Sequence, residues 1–417
     1  MTRDVALVGG RVIDGNGGSP LEDAAVVLRG REILGVGSRA STAIPEDALV
    51  YDVSGKTLIP GLIDGHVHLR AYAGTDRSDF YLWSQATFYE EQVLHAAKNA
   101  RVALEAGVTT LRDAAGARLE VALKHVTDQQ LADGARILVA GFVGMTGGHG
   151  DLFTPPAVDR RPYPTADGPD ECRKLVRAYA RDGVDWIKIC TSGGVLSIGD
   201  ESDWRNYTLE EVRTIVDEAH AIGKRVAAHA HTRNGVRQAL DGGVDSIEHG
   251  SALDAELIKR MLDQGTWLCP TLAVSEQIHD IGAQRGLPAA ALHKNELVRT
   301  SRTESARAAA AAGVRMLMGT DTSSILPFGR HAWELELMTG LLDVSPMRAL
   351  QIATRDAAEA LGLDGKTGVL EPGRWADVLV VDGDPLADIR VLQQRECIQG
   401  VFRDGRLLVD RGLRLAI

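Results

Sequence analysis

From Leu58 onward the sequence settles into one rhythm: a compact apolar run, an amphipathic stretch, then the next run. The runs fall at residues 58–68, 108–113, 136–142, 184–191, 225–231, 244–249, 266–271 and 314–321. Helical patterns lie between them, for example at 89–106, 170–181, 209–222, 236–242, 255–264 and 297–312. A short tag marks several junctions, Ala-Gly-Val at 106–108 and 312–314 and Gly-Gly-Val at 242–244. The glycine takes the left-handed position past the last helical turn, and the β-branched valine opens the next strand. Eight such units in succession predict an α/β chain folded as a (β/α)8 TIM barrel, with parallel strands inside and helices outside.

The two ends read differently. Short β-like runs at 5–8, 11–14, 24–28, 32–36 and 49–53 are broken by turns such as Asn16-Gly17-Gly18 and Ser54-Gly55, and similar runs return at 368–370, 376–381, 398–402 and 406–409. Each end alone has too few strands to bury a core, so the two are expected to pack together as one small β-sandwich domain beside the barrel. The expected division is 1–57 for its first part, 58–363 for the barrel and 364–417 for its second part.

A chain of 417 residues has room for a large domain and a smaller one. Its net charge of −11, with both signs interspersed, gives no basic face for a nucleic acid. No run approaches the ~18 apolar residues needed to cross a bilayer, and the first residues lack a secretory pattern. Cys172, Cys190, Cys269 and Cys397 are scattered without a Cys-x-x-Cys pair, which fits reduced thiols in a cytoplasmic protein.

In a barrel of this kind the chemistry sits at the C-terminal strand ends. Reading those ends in order gives His66 and His68, Lys188, His229 and His231, His249 and Asp321, with His149 in the loop after the third strand. Strand side chains alternate, so His66 and His68 face the same way and can share one metal ion. Lys188 lies between aliphatic neighbours, where an unpaired ammonium is costly. As a neutral amine it can take up carbon dioxide and become a carbamate able to bridge two metals; the plainer alternative is a pairing with a carboxylate such as Asp321. Of His229 and His231, only one is required as a ligand. Asp321 can both hold a metal and accept a proton from water activated there. His149, within Thr146-Gly147-Gly148-His149-Gly150, is placed to hold an anionic group, and no Gly-x-x-x-x-Gly-Lys pattern supports a phosphate cradle. The stretch 191–207 is a long loop that either lines the site or runs over the surface. The other six histidines, including His95 and His220, fall on helical or loop patterns and are expected in solvent.

Together these residues resemble the amidohydrolase superfamily of metal-dependent hydrolases. The resemblance rests on Pro60-Gly61-Leu62-Ile63-Asp64-Gly65-His66-Val67-His68, the Lys188 strand, Glu248-His249-Gly250, Gly319-Thr320-Asp321 and the closing segment 368–377. The stretches around His149, Lys188 to Gly194, and Ala228-His229-Ala230-His231-Thr232 look most like the prolidase-like dipeptidases, whose relatives include ochratoxin-hydrolysing amidases. The resemblance implies two divalent metal ions, usually zinc, bridged by carboxylated Lys188. His66, His68, Lys188 and Asp321 would hold the buried ion, and His229 and His249 the exposed one. His149 matches a contact to the substrate carboxylate, and His231 stands where such dipeptidases commonly carry tyrosine. The implied activity is hydrolysis of a dipeptide, Xaa-Pro or N-acyl amino acid, ochratoxin-like amides included, by a homo-oligomer. Two other readings compete with this one. A deaminase or cyclic-amide hydrolase on the same scaffold lacks support, because no glutamate follows His229 closely. A non-catalytic assembly protein would be expected to have lost ligands.

Overall fold

The structure is a computed structural model that describes residues 3–74, 80–155, 157–197 and 199–416. Seven parallel strands form the inner sheet: β1 (Leu62–Val67), β2 (Val108–Gly116), β3 (Arg136–Phe142), β4 (Trp186–Cys190), β5 (Arg225–Ala230), β6 (Ser246–His249) and β7 (Trp267–Cys269). They are hydrogen-bonded in chain order. Almost every residue in them is buried. That is why they read as continuous apolar runs: helices cover one face of a parallel sheet and the barrel core the other.

The eighth position is filled by residues 314–322, which form bridges rather than a ladder. Met316 pairs with Leu268 and Thr322 with Val67. Backbone bonds reach both neighbours, from Leu317 N to Leu268 O (3.0 Å), Gly65 N to Met318 O (2.8 Å) and Asp321 N to His66 O (2.7 Å). Two features break its regularity. A Cβ on Gly319 would meet His66 Cβ at 2.8 Å, so only glycine lets the segment pass so close. Asp321 then turns into the left-handed region (φ 57°). The barrel read from the sequence is therefore present, with its last strand irregular where the site begins.

The outer helices start and stop on local signals. Thr208 and Glu211 form a reciprocal capping box on the helix Leu209–Ala221. The helices Pro169–Asp182, Arg233–Gly242, Ala255–Gln264 and Ala289–Ala312 each end on a left-handed glycine.

Both termini join in one mixed sheet. Its main path runs from Arg406–Asp410 through Ile398–Arg403, Val378–Val381, Thr57–Pro60, Val5–Val12 and Leu21–Arg29 to Glu32–Ser38. Leu7, Val26, Leu28, Leu58, Val378 and Phe402 bury one another in its core. Thr57–Pro60 pairs within this sheet, after which Gly61 leads the chain into β1. Among the described residues no helix is long and apolar enough to cross a membrane.

Candidate active site

Every strand-end residue singled out above reaches one cavity of ≈ 180 Å³ at the C-terminal mouth of the barrel. His66 ends up 1 % exposed, with Val67 packed fully behind it. His68 lies just past the end of β1, and its Nε2 stands 3.0 Å from Asp321 Oδ1. His66 Nε2 is 3.8 Å from the same oxygen. Ligand atoms of His66, His249 and Asp321 all lie within 4.8 Å of one another, as do those of His229, His231 and His249. Two overlapping donor groups thus share His249. The structure places His231 with His229 and His249, beyond the one fifth-strand ligand the sequence requires.

The local backbone aims these groups. His249 (φ 72°) and Asp321 (φ 57°) both sit in the left-handed region at strand ends. Such conformations are uncommon for side chains of this size and concentrate at functional sites. Each imidazole is also held by a hydrogen bond. His66 Nδ1 meets Glu248 Oε2 (2.7 Å), His249 Nδ1 meets Thr271 Oγ1 (2.6 Å) and His231 Nδ1 meets Ser251 Oγ (2.9 Å). His149 stacks on His229 with ring centroids 4.4 Å apart, and its Nδ1 meets Ser197 Oγ (2.9 Å).

Burial sets the charge of the cluster. It lowers His66 and His149 to about 4, and pushes His229, His231 and His249 well below the usual histidine range. All five are neutral near pH 7 and offer lone pairs. Burial alone would raise the Asp321 carboxyl, but His66 and His68 beside it hold it well below the usual carboxylate range. Lys188 is 3 % exposed and lines the cavity. Among the described residues its ammonium has neither a hydrogen-bond nor an ion-pair partner, so the pairing with Asp321 is not formed. A cluster of neutral imidazoles and one carboxylate, beside a buried amine, fits the binding of divalent cations.

The loop after β4 lines the site. Gly193 O lies 3.2 Å from His229 Nε2, and Val195 and Leu196 form part of the cavity wall; Ile198 lies outside the described residues. The expectation that the remaining histidines sit in solvent fails for His331, which is fully buried with Nδ1 at 2.7 Å from Asp64 Oδ2, and for half-buried His95, whose Nδ1 accepts from Ala73 N (3.0 Å). Asp64 also accepts from His66 N (3.0 Å) and Thr320 Oγ1 (2.6 Å), tying β1 to the closing segment. His331 escaped sequence reasoning because it follows no strand pattern. Asp64 and Glu248 stood inside recognisable motifs, and their partners came only with the fold.

A parallel barrel with this set of donors gathered at one mouth defines a class, the barrel hydrolases that act on amide bonds. The chain belongs to the amidohydrolase family, matching it over residues 57–408. Ochratoxinase of Aspergillus niger is 32 % identical across 98 % of this chain and 87 % of its own length. A crystal structure of a prolidase complexed with N-methylphosphonate-L-proline superposes with a TM-score of 0.89 at 32 % identity, covering 98 % of this chain and 100 % of that one. A Xaa-Pro dipeptidase with methionine bound in its active site gives a TM-score of 0.87 at 30 % identity over 97 % and 99 %. These likenesses put the chain in the prolidase- and ochratoxinase-like branch of the family.

Proposed function

We propose that this chain is a binuclear-metal hydrolase that cleaves the amide bond of a small carboxylate-bearing substrate: a dipeptide, Xaa-Pro or N-acyl amino acid, ochratoxin-like amides included. The observation that carries the reading is the convergence of neutral imidazoles, ionised Asp321 and unpartnered Lys188 on one cavity. His66, His68, Asp321 and carboxylated Lys188 would hold one ion, and His229 and His249 with Lys188 the other; zinc suits the donor set. When bound, such a pair supplies Lewis-acid activation of the amide carbonyl and of water. Asp321 is the general base and then the general acid: its carboxylate takes a proton from the attacking water and returns it to the leaving nitrogen. His149 and His231, packed against His229, orient the substrate. Val195, Val274 and Ile278 give the cavity an apolar wall for the leaving residue. Strand-borne groups and a largely buried cavity hold the amide in reacting geometry.

Asp321→Asn is the test. The variant should keep bound metal, by elemental analysis, while turnover of N-acyl amino acids and dipeptides falls on the order of 10²- to 10⁴-fold. Chelation should abolish activity and added zinc restore it. Near-normal turnover in a metal-bearing Asp321→Asn protein would remove Asp321 from the proton transfer.

A further inference from the structure

Arg302 lies on the long helix Ala289–Ala312 rather than on a barrel strand, and lines the same cavity. It is 2 % exposed. Its Nε donates to Ser251 Oγ (3.3 Å) and its Nη1 to Thr271 O (3.0 Å). Among the described residues no carboxylate lies within ion-pair distance of it, and Nη2 has no acceptor. Ser251 Oγ also meets His231 Nδ1, so one hydroxyl joins the imidazole to the guanidinium. Burial lowers Arg302 to about 10, with Asp321 acting against it, which leaves a full positive charge at neutral pH.

A buried cation without a counter-ion is costly, and neither of its hydrogen bonds requires a charge. A neutral donor could tie Thr271 O and Ser251 together equally well. What a guanidinium adds is a planar edge matched to a carboxylate. We propose that Arg302 pairs with the carboxylate of the substrate, with Ser251 holding Arg302 and His231 in register as one anion-binding unit. The chain would then act on free acids and discriminate against the corresponding carboxamides. This rests on the reading of the site as an amide hydrolase for carboxylate-bearing substrates.

The test separates binding from turnover. Metal-loaded protein is titrated calorimetrically with L-methionine and with L-methioninamide, which share an amine and a side chain and differ in the anion. Wild type should bind methionine on the order of 30-fold or more tighter than the amide, and Arg302→Leu should lose that preference. Arg302→Lys, which keeps the charge, should recover part of it and shows that the loss is not a folding defect. In kinetics on N-acetyl-L-methionine, Arg302→Leu should raise KM by a similar factor while kcat changes only a few-fold. Equal affinities of wild type for acid and amide, or an unchanged preference in Arg302→Leu, would overturn the proposal. Preferential binding of methionine without hydrolysis of any acylated form would support the anion site and fault the assigned reaction instead.

Discussion

Glu248 does not line the cavity, yet three constraints on the site meet at its carboxylate. It receives His66 Nδ1 at 2.7 Å, Arg112 Nη2 at 2.8 Å and Ser246 Oγ at 2.6 Å, with both members of the Arg112 pair fully buried. Burial alone would raise this carboxyl, but Arg112 and His66 hold it well below its usual range. The bond to Nδ1 leaves Nε2 of His66 as the free lone pair and fixes the ring toward Asp321. Glu248→Gln should therefore weaken metal affinity on the order of 10- to 100-fold, read by competition with a chelating dye, and should lower the thermal midpoint because Arg112 loses its counter-charge. An unchanged metal affinity would count against the orienting role. At this scale the sequence exposed the histidines, Lys188 and Asp321, because all but His149 lie within or at the end of an apolar run. Arg302 was not legible. It shares its helix with Arg299 and Arg307, which pair with Glu276 and Asp343 near the surface, and only packing separates the three.

That helix shows why an element can matter more than its composition suggests. Lys294, Asn295, Val298, Arg302 and Ser305 form its buried face. Lys294 Nζ donates to Ser197 O (2.8 Å), Asp200 O (3.1 Å) and Asp200 Oδ1 (2.9 Å), which pins the loop after β4. Ser305 Oγ accepts from Leu253 N (2.9 Å) and holds the loop after β6. The pinned β4 loop passes so close to His149 that a Cβ on Gly194 would lie 2.0 Å from the ring. Gly194→Ala must displace His149 or the loop, so kcat/KM should fall on the order of 10- to 100-fold while the thermal midpoint changes little. Full activity in that variant would mean that the position of His149 is not critical. The strand–helix alternation was legible because parallel strands covered on both faces leave continuous apolar runs. The broken eighth strand was not, because its irregularity comes from Gly319 passing His66 and from the left-handed turn at Asp321, both set by tertiary contact.

At the scale of the molecule, the terminal sheet is joined to the barrel through a buried ionic clamp. Arg136, the first residue of β3, reaches Asp377 Oδ2 at 2.7 Å, just before the strand Val378–Val381, and Asp404 Oδ1 at 2.6 Å, in the turn between Ile398–Arg403 and Arg406–Asp410. Thr367 Oγ1 (2.8 Å) and Asp404 N (2.9 Å) complete the shell around Asp377, and Gly61 N bonds to Asp377 O (3.0 Å) where the chain enters the barrel. The joining of the two ends was legible from their shared β-like character, whereas this clamp depends on three residues far apart in sequence. Burial would raise the Asp377 carboxyl, but Arg136 holds it below its usual value. A carboxylate lowered on folding contributes stability that is fully present above its unfolded pKa of about 3.9 and is lost as pH falls through the folded value. Asp377→Asn should cost about 1–3 kcal/mol at pH 7, since Asp404 still pairs with Arg136. The gap to wild type should begin to narrow below about pH 4, where the unfolded carboxylate takes up a proton while the native one, held lower by Arg136, keeps its charge. Urea unfolding of both proteins between pH 3 and 7 checks this, and a gap that stays constant across that range would mean that the clamp acts through packing rather than charge.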